Sequence, residues 1–448
     1  MITPSTLRPV TDSALKFYIE TYGCQMNFGD TEIVVSIMRD NGYVYVENME
    51  EADIVLVNTC SIRDNAEQRV WGRLSEFAAL KKRKPSLIVG VIGCMAERLK
   101  ERLVEADKGV DIVAGPDAYR SLPSLMEEAG RGGKGINVLL SREETYADIS
   151  PVRLDRNGVS AFVSIMRGCN NMCSYCVVPY TRGGERSRDS DTILAEVRDL
   201  FDRGYREVTL LGQNVNSYRY GDISFADLMR MTAEVSPLLR VRFATSHPKD
   251  LSDELLEVMA AYPNICRSIH LPAQSGSDTM LERMNRKYTR EWYLRRIESI
   301  RRHMPDCAIT TDIIAGFCGE TEEEHEATLS LMREVGYQFA YMFKYSEREG
   351  TKASRHMKDD IDDAVKTRRL TEIINLQNEL SLQSNKEDVG KTFEVLVEGP
   401  SKRNPDELVG RTSQNKVCVF ADTDHRPGDY VTVHVDDCTS ATLLCHRV

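Results

Sequence analysis

Short apolar runs alternate with amphipathic stretches from Lys16 to about Gly130. The runs "FYIETYGC", "DIVLVNTC", "LIVGVIGC" and "VDIVAG" read as buried strands. Between them, "DTEIVVSIMRDNG", "NAEQRVWGRLSEFAALKKR" and "AERLKERLVEA" carry helical spacing. Strand and helix in alternation predict a parallel, doubly wound sheet. The stretch "GRGGKGINV" and the polar run up to Pro151 read as a linker.

A second series opens at "SAFVSIMRGC" and continues through "EVTLLGQN", "RVRFATS", "RSIHLPAQ", "AITTDIIAGF" and "QFAYMFKYS". Helical stretches such as "DTILAEVRDLFDRG" and "REWYLRRIESIRRHM" fall between these strands. Six strand–helix repeats predict a partial (β/α) barrel, since a full eight-fold barrel needs two more units. A polar helix, "AVKTRRLTEIINLQNELSLQSNKED", then leads to short alternating strands in "KTFEVLVEG", "ELVGRTSQNKVCVF" and "DYVTVHVDDC". That period predicts a small β-barrel or sandwich. The fold class is therefore α/β, with a doubly wound parallel sheet at 15–135, a partial (β/α)6 barrel at 155–385 and a small β-domain at 387–448.

A chain of 448 residues is too long for one ordinary core, which agrees with this division. Hydrophobic residues at 41% and charged residues at 28% are those of a soluble globular protein, and no apolar run reaches membrane-spanning length. The first twenty residues lack the basic start and apolar core of a signal peptide, so the expected location is the cytoplasm. Twelve cysteines in a reducing compartment point to metal ligation or redox chemistry rather than to disulfides. The net charge of −11 gives no support to nucleic-acid binding and does not exclude it, because local patches decide that.

The stretch "RGCNNMCSYCVVPYTRGGERSR" places Cys169, Cys173 and Cys176 in a C-x3-C-x2-C loop directly after the first barrel strand. Barrel sites lie at the carboxyl ends of strands. Three thiolates so close suit iron–sulfur or zinc. A structural zinc site takes four ligands, and no second C-x2-C or His pair follows nearby; zinc with a distant fourth ligand is the alternative reading. A [4Fe-4S] cluster takes one ligand per iron, so three cysteines leave one iron open to a small molecule.

Cys24, Cys60 and Cys94 each end a predicted strand of the first sheet, separated by 36 and 34 residues, one strand–helix unit each. Parallel strands bring their carboxyl ends to one edge, so these cysteines converge in space if the sheet forms as predicted. Singly, each reads as a buried small hydrophobe; as three at matched strand ends they read as a second ligand set. Cys266, Cys307, Cys318, Cys418, Cys438 and Cys445 follow no ligand pattern and read as structural.

The loop C-x3-C-x-aromatic-C, with Tyr175 as the aromatic, resembles that of the radical S-adenosylmethionine (SAM) enzymes. The resemblance implies that the open iron binds the amino and carboxylate groups of SAM. Electron transfer then splits SAM into methionine and a 5′-deoxyadenosyl radical, chemistry that side chains cannot perform unaided. Two three-cysteine sets and a terminal β-domain, with "TYGCQMN", "LLGQNVNSY" and "HLPAQSGSD", resemble the methylthiotransferases over nearly the whole chain, most closely the MiaB type.

That resemblance implies two [4Fe-4S] clusters, one of them auxiliary on Cys24, Cys60 and Cys94, and a terminal RNA-binding TRAM domain. The implied activity is methylthiolation of C2 of N6-isopentenyladenosine in tRNA anticodon loops. One SAM methylates a sulfur carried at the auxiliary cluster and a second yields the radical. The implied partners are tRNA, a low-potential flavodoxin- or ferredoxin-like electron donor and a sulfur source, with the enzyme a monomer and no membrane involved. Relatives that act on threonylcarbamoyladenosine or on a ribosomal-protein aspartate are the nearest alternatives, and a non-catalytic iron–sulfur redox sensor is the alternative of another class.

Gln213, Ser246 and Gln274 lie at the ends of barrel strands two, three and four, where SAM and substrate must sit. "GFCGETEEE" reads either as a close backbone approach to a ligand or as a strand-to-helix turn with an acidic cap. Lys402, Arg403 and Arg411 (with Lys416) lie near turns of the terminal domain and suit phosphate contacts. Residues 387–448 nevertheless hold 7 Lys/Arg against 11 Asp/Glu, so RNA binding there rests on the resemblance, and "RRIESIRRH" and "RGGERSR" are the richer basic runs.

Overall fold

The computed structural model describes residues 14–61, 64–106, 108–154 and 157–448. They form two compact units. The first comprises the described residues up to Leu154 with Arg167–Asn170 and Cys176–Arg186; the second comprises 157–166, 171–175 and 187–448.

The first unit is built on six parallel strands: β1 (Lys16–Tyr22), β2 (Val44–Tyr45), β3 (Ile54–Thr59), β4 (Ile88–Gly93), β5 (Ile112–Ala114) and β6 (Gly135–Asn137). Their order is β2-β1-β3-β4-β5-β6. Strands β3 and β4 are buried along their whole length, which is why they read as continuous apolar runs. Ile54, Leu56, Ile88 and Ile92 pack on one side with the helix Gln25–Asp40, while Val55, Val57, Val89 and Val91 pack on the other with Asp64–Arg83. Loss of one such side chain, as in Leu56→Ala, costs about 2–5 kcal/mol.

Two expectations change here. The segment read as a linker supplies β6, whose Gly135, Ile136 and Asn137 pair with Ile112, Val113 and Ala114. Three residues at a sheet edge are too few to show a period, so only the pairing reveals them. The run that followed, up to Pro151, is also bound to this unit: Ser36 Oγ donates to the Ser150 carbonyl at 2.9 Å and accepts from the Val152 amide at 2.7 Å. The single helix expected in "AERLKERLVEA" is two, Cys94–Leu99 and Arg102–Glu105. Lys100 between them has φ +51°, a left-handed conformation that no α-helix continues through.

In the second unit the six expected strands are present, Ser160–Ser164, Glu207–Leu211, Arg240–Ala244, Ser268–His270, Ala308–Ala315 and Phe339–Lys344, all in parallel register. They form two sheets of three, and an isolated parallel bridge, Val241 to Ile265, lies where the third strand meets the fourth. Among the described residues the sixth strand does not pair with the first, so the barrel stays open. One face of the strands, with Val163, Leu210, Val241, Ile269, Ile309 and Ile313, shares a core with the surrounding helices.

The helix Asp363–Lys386 leads into a closed five-stranded barrel, Thr392–Pro400, Glu407–Arg411, Val417–Ala421, Tyr430–Cys438 and Leu443–Arg447. Two arginines of the third barrel strand hold it in place. Arg240 donates to the Arg411 and Glu394 carbonyls at 2.6 and 3.0 Å, and Arg242 donates to the Thr412 and Ser413 carbonyls at 2.8 and 3.1 Å.

Candidate metal and cofactor site

In the first unit, Tyr22 of β1 stands opposite Thr59 of β3, and Thr59 stands opposite Gly93 of β4. Cys24, Cys60 and Cys94 therefore leave the sheet at one level, as parallel pairing requires. The approach of Cys24 to Cys60 demands glycine: a Cβ on Gly23, which has φ +140°, would lie 2.3 Å from the Cys60 Cβ. A Cβ on Gly93 would meet the Thr59 carbonyl at 2.8 Å. Buried amides lock the loop beneath, with Asn27 Nδ2 donating to Asn58 Oδ1 at 3.1 Å and Asn58 Nδ2 donating to the Asn27 carbonyl at 2.8 Å. This accounts for the asparagine of "TYGCQMN".

Cys60 hydrogen-bonds Cys24 and, against the effect of burial and with help from the Arg182 charge, holds its thiol down at about 6. Burial raises the Cys94 thiol, and the Arg182 charge opposes it. Arg182 Nε donates to Cys94 Sγ at 3.1 Å. The same guanidinium reaches Asp30 through Nη2 at 2.7 Å, and Arg167 Nη1 reaches the other oxygen of Asp30 at 2.8 Å. Burial works against the Asp30 charge, yet the two arginines outweigh it and hold the carboxyl below its ordinary value. These groups are almost fully buried. The basic run "RGGERSR" is thus no surface patch: Arg182, Arg186 and Arg188 pair with Asp30, Asp117 and Glu196. Arginine has this role because its rigid fork can serve a thiolate and a carboxylate together.

In the three-cysteine loop, the Cys169 amide donates to the Gly183 carbonyl at 3.1 Å and the Val178 amide to Cys176 Sγ at 3.5 Å. Cys173, in the second unit, accepts from Arg286 Nη1 at 3.3 Å. Ser174 bonds through its amide to the Met284 carbonyl and through Oγ to the Arg283 carbonyl. Tyr175, the aromatic of the motif, packs edge-on against Phe317 at 6.3 Å between centroids. Among the described residues no three Cys, His, Asp or Glu side chains close round one point as a single metal ion requires. A cluster, which takes each thiolate on a different iron, asks for wider spacing.

Gln213, Ser246 and Gln274 share an unusual property. Gln213 Oε1, Ser246 Oγ and Gln274 Oε1 are buried, and none finds a hydrogen-bond partner among the described residues. Buried polar groups are nearly always paired, so three such atoms at consecutive strand ends fit a polar ligand. Gln274 is held at φ +70° by two bonds to the fifth strand, its amide to the Asp312 carbonyl at 2.9 Å and its carbonyl to the Ile314 amide at 3.0 Å. Thr245, at φ +74°, strains the turn before Ser246. Asn216 joins the group with both amide atoms buried and unpaired. It lies in "LLGQNVNSY", where it differs from Asn214, whose side-chain amide donates to Asp250 at 2.7 Å and accepts from the His247 amide at 3.0 Å. Arg182 and Arg286 were likewise missed, since nothing local marks an arginine that contacts a cysteine 88 or 113 residues away.

The remaining calls divide. "GFCGETEEE" is the strand-to-helix turn, with a Thr321–Glu324 capping box starting the helix Glu322–Val335. In "RRIESIRRH", Arg295, Arg296 and Arg302 pair with Glu291, Asp253 and Glu298 on the helix surface. Lys402 and Arg403 are exposed, whereas Arg411 is bound to Glu398 at 2.9 Å and Lys416 to Asp388. Cys266, Cys307, Cys318 and Cys418 are buried, and Cys438 and Cys445 pack partly buried against the terminal core.

An open parallel barrel with a three-cysteine loop after its first strand defines a radical SAM enzyme, and residues 163–332 match the radical SAM superfamily. Residues 16–115 match the uncharacterized protein family UPF0004 and residues 386–446 the TRAM domain. The chain is 59% identical over 442 residues to the tRNA-2-methylthio-N(6)-dimethylallyladenosine synthase of Bacteroides thetaiotaomicron, covering 98% of this chain and 97% of that one. It is 58% identical over 436 residues to the Porphyromonas gingivalis enzyme of the same name, covering 96% and 94%. The fold is similar to that of the radical S-adenosylmethionine methyltransferase TsrM from Kitasatospora setae, with a TM-score of 0.57, 16% identity and coverage of 74% and 73%. The chain belongs to the tRNA-2-methylthio-N(6)-dimethylallyladenosine synthase family. Membership of the radical SAM superfamily brings with it a [4Fe-4S] cluster and SAM.

Proposed function

We infer that this chain transfers a methylthio group to C2 of N6-isopentenyladenosine in tRNA, at the position next to the anticodon. The observation that carries this reading is identity of 59% over 98% of the chain to a synthase of that name. The reading includes two [4Fe-4S] clusters, one on Cys169, Cys173 and Cys176 and an auxiliary one on Cys24, Cys60 and Cys94. Two separate sets of three thiols support it. When bound, the clusters and SAM supply the electron, the radical and the sulfur chemistry.

The chain's own residues bind, orient and exclude water. Gln213, Ser246 and Gln274 offer their unpaired buried atoms to SAM. Lys402, Arg403 and Arg411 are assigned to RNA phosphates, with Arg411 doing so only by sharing itself with Glu398. The domains of this reading are 15–135 for the auxiliary cluster, 155–385 for radical chemistry and 387–448 for RNA. A flavodoxin- or ferredoxin-like donor and a sulfur source complete the system, in the cytoplasm and with the enzyme a monomer. Among the described residues no helix is long and apolar enough to cross a membrane.

An anticodon loop exposes its bases for stacking and edge readout, which C2 of adenine needs. The prenyl group adds apolar contact at about 25 cal/mol per Å² buried. Purified, reconstituted enzyme is given prenylated and unprenylated anticodon stem–loops, and methylthio product is measured by mass spectrometry. Strong preference for the prenylated loop is expected. Equal turnover of both, or turnover of a threonylcarbamoyl loop or of a ribosomal-protein aspartate, overturns the substrate assignment.

A further inference from the structure

Arg182 closes the five-residue helix Val178–Arg182, which begins two residues after Cys176 and packs on the helix Cys94–Leu99. Its guanidinium is 3% exposed and has three roles to fill. Nε donates to Cys94 Sγ at 3.1 Å, and Nη2 donates to Asp30 at 2.7 Å. Nη1 is buried and has no hydrogen-bond partner among the described residues. A buried guanidinium N–H without an acceptor is costly, and evolution rarely leaves one without a use. The carboxylate of Asp30, shared with Arg167, fixes the plane of the fork, so Nη1 cannot swing away to find another acceptor.

We propose that Arg182 is the positioning residue of the auxiliary cluster, holding the Cys94 thiolate through Nε–H and donating its unpaired Nη1–H to sulfur of the cluster that Cys24, Cys60 and Cys94 carry. The acceptor is anionic sulfur, thiolate or sulfide, which is what a cationic N–H donor recognises best in a dry site. Cationic charge and N–H···S bonds favour the more reduced, more negative cluster, so Arg182 raises its midpoint potential. Through the helix Val178–Arg182, the residue that follows the radical-cluster loop thereby adjusts the second cluster. The inference rests on the two-cluster reading above and deepens it.

The test uses the full chain carrying Cys169→Ala, Cys173→Ala and Cys176→Ala, so that only the auxiliary cluster contributes to the spectrum. Into this background go Arg182→Gln and, separately, Arg182→Lys, which keeps a cation beside Asp30 if the neutral variant fails to fold. Iron content, EPR line shape and midpoint potential are measured after anaerobic reconstitution. Arg182→Gln is expected to shift the potential downward and change the EPR line shape; Arg182→Lys is expected to restore part of the potential while keeping an altered line shape. A merely structural arginine would change folding but neither quantity in the folded fraction. Potential and line shape equal to those of the Arg182 parent in a folded Arg182→Lys protein overturn the proposal. A parent that holds no iron on this triad overturns the two-cluster reading as well, and the two failures are distinguished by which protein shows them.

Discussion

Arg286 donates from Nη1 to the Sγ of Cys173 at 3.3 Å across 113 residues of sequence. Its remaining donors are occupied, with Nη2 on the Pro272 carbonyl at 2.8 Å and Nε on the Tyr288 hydroxyl at 3.0 Å. The guanidinium is thus locked before any cluster arrives. Each three-cysteine set has one buried arginine on one of its sulfurs, Arg286 on Cys173 and Arg182 on Cys94. In both cases a cation offsets part of the charge that three thiolates bring into a dry site.

We predict that the two cysteine sets have separable roles. Replacing Cys169, Cys173 and Cys176 by Ala is expected to leave about half of roughly eight irons per chain and to abolish 5′-deoxyadenosine formation. Replacing Cys24, Cys60 and Cys94 is expected to leave about half the iron as well, to keep SAM cleavage and to abolish methylthio product. Iron assay, liquid chromatography of 5′-deoxyadenosine and mass spectrometry of RNA check both, and normal product from the second variant would remove the auxiliary set from the mechanism.

Ser246→Ala affects stability and SAM binding in opposite directions. Its Oγ is buried without a hydrogen-bond partner among the described residues, an arrangement that costs about 1–3 kcal/mol. Alanine removes that cost, so the melting temperature without SAM stays level or rises. SAM affinity falls by about tenfold, the equivalent of one lost hydrogen bond. Calorimetric melting with and without SAM reads both signs at once, and equal SAM-induced shifts in parent and variant would remove Ser246 from the cofactor site.

Burial, with the charges of Arg286 and Lys249, lowers His247 from its ordinary value of 6.5 to about 2. Between those values the unfolded chain takes up a proton that the folded chain refuses. This group's stabilising contribution is therefore present above pH 6.5 and is lost as pH falls, at about 1.4 kcal/mol per unit. His247 Nδ1 accepts from the Lys249 amide at 3.3 Å, a bond that Asn can reproduce. His247→Asn is expected to flatten the acid side of the stability curve, measured as urea midpoints of the apo-protein from pH 6.5 to 5. Identical slopes in parent and variant would show that His247 titrates normally.

Arg242 couples two parts of the second unit, since besides the carbonyls of Thr412 and Ser413 it binds Glu207 at 2.7 Å. Arg242→Met leaves Glu207 buried without its partner, at a cost of about 3–5 kcal/mol. Early proteolysis within residues 387–448 and weaker RNA binding are expected, with SAM cleavage spared. Gel-resolved digestion checks the first, and a proteolysis pattern unchanged from the parent would show that the terminal barrel is held by other contacts.

The elements were readable where a period runs long enough to be sampled. The apolar runs of β3 and β4 were legible because both faces of these strands are covered. β6 was missed because three edge residues carry no period, and the break at Lys100 because nothing in "RLKERL" opposes a continuous helix. The basic run "RGGERSR" misled for a related reason: charge in a sequence says nothing of burial, and here each arginine has a carboxylate waiting inside.

By itself the sequence grouped the thiols into two candidate sets, because spacing along one loop and equal spacing along a parallel sheet are both properties of chain order. Cys24, Cys60 and Cys94 had to meet once β1, β3 and β4 paired in parallel register. Only the tertiary structure decided what surrounds those sulfurs. Arg182 beside Cys94, Arg286 beside Cys173, and the unpaired buried atoms of Gln213, Ser246 and Gln274 depend on which side chains burial brings together. A hydrogen bond across 88 or 113 residues leaves no local pattern, for its geometry is set by the packing of elements whose own periods encode only which face is apolar.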